Sequence, residues 1–434
     1  GLDHRRSRGR RRRKSGRLMD SELVSRLTAR MRYEFERTAP PEGFPQFPDI
    51  PVERYTSDAF FDLEQDALWP KCWVLAARVD ELPRPGDFVT FDSLGSPMIL
   101  IRGTDDVVRA FYNTCQHRGA PVVRETRGTS RLLRCQYHSW SYDIHDGSLV
   151  SVPDERDFVD LDRSLRCLKT VRCEEWDGWI FVNQDSAALP LLEWLDPIPH
   201  ELDELQGPRL STVARRSEVI PCNWKVTAEA FLEVYHFRHI HGHGGESILD
   251  NRGAVMSLLP RGASRMITPF SRTAQSANGM TAWDDYQHVV APGFTDIDTV
   301  NDMVRCTSSA YSIFPNLITP IAAYGFPFIT FWPIDKSNTR IEWTHYSLDR
   351  FASEDDLPTQ WTTRLHSFDQ IMQEDFWNMA PMQRSLESSA ISGVPINYQE
   401  RRIWHFHEQI DRMIGLDLIP DGMGVPQLLA DYVE

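Results

Sequence analysis

Cysteine is scarce in this chain: there are seven in 434 residues, and their spacing resembles no disulfide framework. That excludes a small cross-linked secreted scaffold and fits a reducing cytoplasm. Long apolar runs are missing too. The most apolar stretch, 309–334, is interrupted by Pro315, Pro320, Pro327 and Pro333, so it reads as buried strands and turns rather than a membrane span. No G-x-G-x-x-G occurs, which excludes direct dinucleotide binding of that kind. Positive charge is outnumbered by acids outside one tract. The net charge is −15, yet residues 1–17 carry nine Arg or Lys against one Asp. Such a run suits nucleic acid, but no binding motif follows it, and it lacks the apolar periodicity of a transit peptide. The first residue is Gly1, while Met19 opens an amphipathic pattern of Leu23, Leu27, Met31 and Phe35. Residues 1–18 are therefore expected to form a disordered basic arm outside the fold. Neither a nucleic acid nor a membrane is expected as partner.

What is present begins with a core. The 434 residues are 41% hydrophobic, with 13 Trp and 22 Phe, enough for two domains. Residues 20–37 and 58–68 read as helices, separated by a proline-rich connector from Thr38 to Pro51. Short β-type runs follow at 73–79, 87–91, 98–102, 107–112 and 178–183, punctuated by Gly, Pro and Asp as in a small antiparallel barrel. Helical signals return at 191–205 and 224–239, strands dominate 266–348, and helices are expected near 359–389 and 398–414. The division expected is 19–54 as an N-terminal helix and linker, 55–185 as one domain, and 186–434 as a larger one. The class is α+β, with two antiparallel sheets and helices flanking the second.

The chemistry starts with Cys115 and His117 in T-C-Q-H-R-G-A, then Cys135 and His138 in R-C-Q-Y-H-S-W. Two thiolates and two imidazoles in paired short loops can hold one iron by sulfur and a second by nitrogen, which is a Rieske [2Fe–2S] centre. The plainer reading is a tetrahedral zinc site, but those usually pair Cys with Cys, whereas each pair here mixes Cys with His. A second cluster lies within residues 223–241, N-W-K-V-T-A-E-A-F-L-E-V-Y-H-F-R-H-I-H. On a helix Glu229, Glu233 and His236 share a face. Two His and a distant carboxylate form the facial triad of non-haem Fe(II). His236, His239, His241 and His243 compete for it, and spacing does not choose among them. Gln373-Glu374-Asp375 is the best source of the carboxylate.

Together these motifs, with Gly178-Trp-Ile-Phe-Val-Asn183 and Gln383-Arg384, resemble the catalytic α subunit of Rieske non-haem iron ring-hydroxylating oxygenases over roughly residues 55–390. The order of several independent motifs makes the resemblance specific. It implies Cys115, His117, Cys135 and His138 as cluster ligands, His236, His241 and Asp375 as ligands of the mononuclear iron, and Glu229 nearby. His239 and His243 would then be pocket or supporting residues. Glu233 would hydrogen-bond His236 and the cluster ligand His138 of a neighbouring subunit, which orients both imidazoles. Many relatives carry Asp at the position of Glu233, while some resembling quaternary-ammonium monooxygenases carry Glu.

The resemblance further implies a bacterial cytoplasmic enzyme, a homotrimer or an α3β3 assembly with a β subunit. It would use O2 as co-substrate, with electrons from NAD(P)H arriving through a flavin reductase or ferredoxin. The implied reaction is hydroxylation of an aromatic or other hydrophobic compound, with a quaternary-ammonium or N/O-methyl substrate as the alternative. A pure Rieske electron carrier of the respiratory type is disfavoured, because Ala120 and Tyr137 stand where that type's clamping disulfide would be. Arg118, Arg124, Arg127, Arg131 and Arg134 read equally as a docking patch for an acidic ferredoxin or as a solvated face. His405 and His407 read as surface or interface residues.

Overall fold

The computed structural model describes residues 21–242, 248–271 and 292–434. The basic arm expected at 1–18, and His243, lie outside the described residues.

Two seven-stranded antiparallel sheets organise the chain. The first runs in the order Val74–Arg78, Trp179–Asn183, Thr170–Trp176, Val108–Tyr112, Met98–Arg102, Asp87–Phe91 and Arg127–Thr129. A three-stranded sheet beside it, Leu132–Arg134, Ser141–Asp143 and Leu149–Ser151, closes over a small core that includes Val122, Leu133, Trp140, Tyr142 and Ile144. The second large sheet runs Ser211–Ile220, Asn338–Ser347, Phe326–Asp335, Leu317–Ile321, Thr307–Ile313, Ser264–Pro269 and Val255–Leu258. Its third strand, Phe326–Asp335, is buried on both faces through Trp332, which is why the sequence reads there as a mostly apolar run with no alternation. Among the described residues, no helix is long and apolar enough to cross a membrane.

The helices cover this second sheet. Ser21–Glu36 buries Leu23, Leu27, Met31 and Glu34 at near-helical spacing. Thr359–Leu386 buries Trp361, Leu365, Phe368, Met372, Phe376 and Met379, and places Asp375 in that otherwise apolar stripe. An acid there requires a partner. The run expected as one helix over 191–205 breaks into Leu191–Leu195 and Ile198–Glu201, because Pro197 has no amide hydrogen with which to continue the ladder.

The closing helix Arg401–Ile414 corrects one expectation. It is enclosed on nearly all sides, leaving only Arg412 and Met413 outside its buried set, so His405 and His407 are core residues and not surface ones. Its amphipathic pattern looks like a surface helix, but most of its inward polar side chains find a partner. His405 Nε2 lies 2.8 Å from the carbonyl of Leu259. Asp411 accepts from Arg54 at 2.7 Å and from the amide of Val425 at 2.8 Å.

Burial sets a pH dependence. Burial holds His345 down to about 3, with Arg364 and Arg216 adding to the shift, and it holds His405 down to about 4. Both rings are neutral in the folded chain. Below their unfolded value near 6.5 the unfolded chain binds protons that the folded chain does not, so stability is full above that pH and falls as pH drops toward the folded values. At pH 5 the expected loss is about 2 kcal/mol for each ring. Urea unfolding at pH 7 and pH 5 should show it, and His345→Phe should remove one ring's share.

Candidate metal centres

The cluster motifs form two loops of the same geometry. In Cys115–Ala120 the amide of Cys115 donates to Ala120 O and that of Gly119 to Cys115 O, both at 2.9 Å. In Cys135–Trp140 the equivalent bonds, Cys135 to Trp140 and Ser139 to Cys135, are also 2.9 Å. Both turns need a left-handed residue at the fifth position, Gly119 at φ 74° and Ser139 at φ 62°. Ser139 bears that conformation at a cost of about 1 kcal/mol, and its hydroxyl is held by Arg134 Nη2 at 2.9 Å. Asn113 fixes the first loop from behind, accepting from the amides of Val122 and Val123 and donating to Val123 O.

The loops bring all four candidate cluster residues together. Cys115 and Cys135 are buried and form no disulfide. His117 and His138 face one another with their Nδ1 atoms 3.1 Å apart. Trp140 stacks on the His117 ring at 4.8 Å, and Tyr142 Oη lies 3.2 Å from Cys115 Sγ. Burial raises the Cys115 thiol, so an isolated thiolate there is unfavourable and a metal is its natural counter-charge. Two sulfurs and two imidazole nitrogens converging at a protein surface fit a [2Fe–2S] cluster with mixed ligands. The five arginines around the loops, Arg118, Arg124, Arg127, Arg131 and Arg134, are all exposed.

The second centre is anchored from below. Asn223 caps the helix Trp224–Glu229, its Oδ1 accepting from the amide of Lys225. Lys225 Nζ and Trp224 Nε1 both reach the buried Glu64 carboxylate, at 2.8 Å and 3.0 Å. The helix expected to run on to His239 stops at Glu229, and the next turn of helix is Phe237–Ile240. Glu233 lies in the break. Its carboxylate accepts from the amides of Tyr235 and His236, so it satisfies backbone donors that a continuous helix would have turned inward. Glu229, Glu233 and His236 therefore do not share a helical face.

The break swings His236 and His241 toward Asp375. One donor atom from each lies within 4.8 Å of the other two. His236 Nε2 is 3.4 Å and His241 Nε2 is 3.1 Å from Asp375 Oδ1. Each ring turns its Nδ1 away to a carboxylate, His236 to Glu233 and His241 to Glu374 Oε2, the latter at 2.6 Å. A ring that donates from Nδ1 has its Nε2 lone pair free, so both lone pairs point at the same space. Burial alone would lower His236, but Asp375 and Glu233 outweigh it and push it up to about 10. Asp375 is held below the usual carboxylate range by the two imidazoles, against the effect of burial. This is a pocket built for a cation, and two imidazoles with one carboxylate suit Fe(II) with open positions. His239 is exposed and bonded to Arg238 Nε, away from this cluster. Glu374 is the residue that sequence reasoning missed. Its neighbour Asp375 fitted the ligand role, and helical spacing gives no sign that His241 lies opposite.

Comparison with known proteins agrees with this geometry. Residues 72–172 match the family model for the Rieske [2Fe-2S] domain, and residues 205–416 match that for the ring hydroxylating alpha subunit (catalytic domain). The chain is 31% identical over 214 residues to the oxygenase subunit of carnitine monooxygenase from Acinetobacter baumannii, covering 48% of this chain and 57% of that protein. It is 34% identical over 189 residues to the alpha subunit of 2-aminobenzenesulfonate 2,3-dioxygenase from an Alcaligenes species, covering 43% and 48%. The matches thus span about half the length of these relatives. The crystal structure of a quaternary ammonium Rieske monooxygenase superposes with a TM-score of 0.70 at 21% identity, over 87% of this chain and 99% of that one.

Proposed function

We infer the activity from one premise: the chain belongs to the family of Rieske ring-hydroxylating oxygenase α subunits, with a Rieske domain ahead of the catalytic domain. It acts as the terminal component of an oxygenase, hydroxylating a small aromatic or other hydrophobic organic compound. The observation that carries this reading is the convergence of His236 Nε2, His241 Nε2 and Asp375 Oδ1 in a chain that also pairs Cys115 and Cys135 with His117 and His138. These seven residues would hold the mononuclear iron and the [2Fe–2S] cluster, the first supplying O2 activation and the second one-electron delivery. The domains divide near residue 185. A ferredoxin or flavin reductase supplies the electrons, and the exposed arginines around the cluster loops suit an acidic donor.

A quaternary-ammonium substrate is the second reading. It is favoured by Glu233 at the position where ring-hydroxylating relatives commonly carry Asp, and by the likeness to carnitine monooxygenase. Incubation with reductant, O2 and a panel of aromatic and ammonium compounds separates the two by product. Metal analysis gives about three iron per chain if the function is right; two iron with turnover intact would overturn the second site.

In the same reading, Glu233 links the two centres across a subunit boundary in a trimer. It holds His236 Nδ1 from one side, and the partner subunit's His138 would approach from the other. Glu233→Gln keeps the shape and removes the charge. Both metals should stay bound while cluster oxidation slows ~10–100-fold, measured by rapid mixing of the reduced substrate complex with O2. Oxidation at the parent rate would leave Glu233 as a backbone cap only.

A further inference from the structure

Around Glu229 lies a buried polar cluster that includes none of the candidate metal ligands. Tyr55 Oη donates to Glu229 Oε2 at 3.2 Å, and His407 Nε2 lies 2.7 Å from Glu229 Oε1. Arg54 Nε donates to His407 Nδ1 at 2.9 Å, which leaves the ring proton on Nε2 and directs it to Glu229. The charges here can be matched one by one. Arg54 pairs with Asp411 at 2.7 Å, and Lys225 pairs with Glu64 at 2.8 Å. Glu229 has only neutral donors, a phenol and an imidazole, and Glu400 adds like charge from the turn before the closing helix.

An ionised carboxylate so placed is costly, and burial pushes Glu229 up to about 8, against the opposing pull of Tyr55, Lys225 and Arg54. The cluster also has one opening. The side chains of Arg54, Lys225, Glu64 and His407 are at 0% accessibility, while Glu229 keeps 11%. Four residues further along the chain is Glu233, bonded to His236, and the amide of Leu232 folds back onto the carbonyl of Glu229 at 2.9 Å.

We propose that Glu229 is a proton store for the oxygenase, with Tyr55 and His407 as the residues that position it. This rests on the oxygenase reading above. Insertion of one oxygen atom into a C–H bond takes one O2, two electrons and two protons, and leaves the hydroxylated product and water; dihydroxylation of an arene takes the same two electrons and two protons. The electrons come from the redox-protein donor. Glu229 supplies one of the two protons to the reduced oxygen, its O–H bond breaking as an O–H bond of the product or of water forms, and solvent supplies the other; the carboxylate left behind is held by Tyr55 O–H and His407 Nε2–H until water at the opening restores the proton.

The test reads the proton directly, in iron-loaded protein without turnover. Infrared difference spectra across pH 6–9 should show a protonated-carboxyl band lost with a midpoint near 8. The band should be absent in Glu229→Gln, and its midpoint should rise by about one unit in Tyr55→Phe, which removes a hydrogen bond to the anion. A Glu229 ionised throughout that range, or a midpoint unmoved by Tyr55→Phe, overturns the store. With the substrate found for the parent protein, Glu229→Gln at unchanged iron content should form several-fold less product per electron consumed, and an unchanged yield overturns the delivery role. A parent protein that oxygenates nothing would overturn the functional reading alone, leaving the infrared result to decide this one.

Discussion

Asp375→Ala should empty the mononuclear iron site and abolish oxygenation while leaving the cluster able to accept electrons. The carboxylate is the point on which both His236 Nε2 and His241 Nε2 converge, at 3.4 Å and 3.1 Å. It is buried in the apolar stripe of the long helix between Met372 and Met379. Without it, two imidazoles remain. Neutral ligands alone do not balance a dication in a buried site. Iron should therefore fall from about three to about two per chain, since the two cluster irons sit on other elements. The fold should tolerate the change, because the substitution removes an unfavourable buried charge together with the metal that balanced it. The paired readout is iron content and the visible spectrum of the reduced cluster. Retained activity would place the third ligand elsewhere, with Glu374 next along the helix.

Glu374→Gln should weaken iron binding without abolishing it. Glu374 Oε2 lies 2.6 Å from His241 Nδ1, and the bond keeps the proton on that nitrogen so that Nε2 faces the metal. The negative charge also makes the imidazole a stronger donor. Glutamine retains an acceptor oxygen but no charge, so the ring orientation survives while its basicity falls. Fe(II) affinity should drop ~10–100-fold, measured by titrating protein that has been depleted of mononuclear iron but keeps its cluster. Unchanged affinity would reduce Glu374 to a surface acid that happens to lie near His241. Comparison with Asp375→Ala separates a ligand from its support, since one loses the site and the other only weakens it.

The two metal centres differ in how far the sequence alone could specify them. The cluster loops are local: the backbone bonds that close each one lie within six positions, Cys115–Ala120 and Cys135–Trp140, so motif spacing and turn chemistry carry the geometry. The strands Asp87–Phe91 and Met98–Arg102 were equally legible, because Gly, Pro and Asp bound short apolar runs. The iron pocket is not local. His241 and its partner Glu374 are 133 positions apart, and spacing alone left four histidines in competition. It also missed that Glu233 would lie between two short helices and accept from the amides of Tyr235 and His236, since a side chain competing for backbone amides leaves no periodic trace. The closing helix shows the same limit. Its sequence has the polar and apolar faces of a surface helix, and only packing against Arg54, Tyr55 and Glu229 shows that His407 on its polar face is buried and hydrogen-bonded. Sequence thus determined which chemistry the chain carries, because ligand types and short loops are written in consecutive residues. Tertiary structure alone decided which of several equivalent histidines and acids meet, because that depends on where distant elements pack.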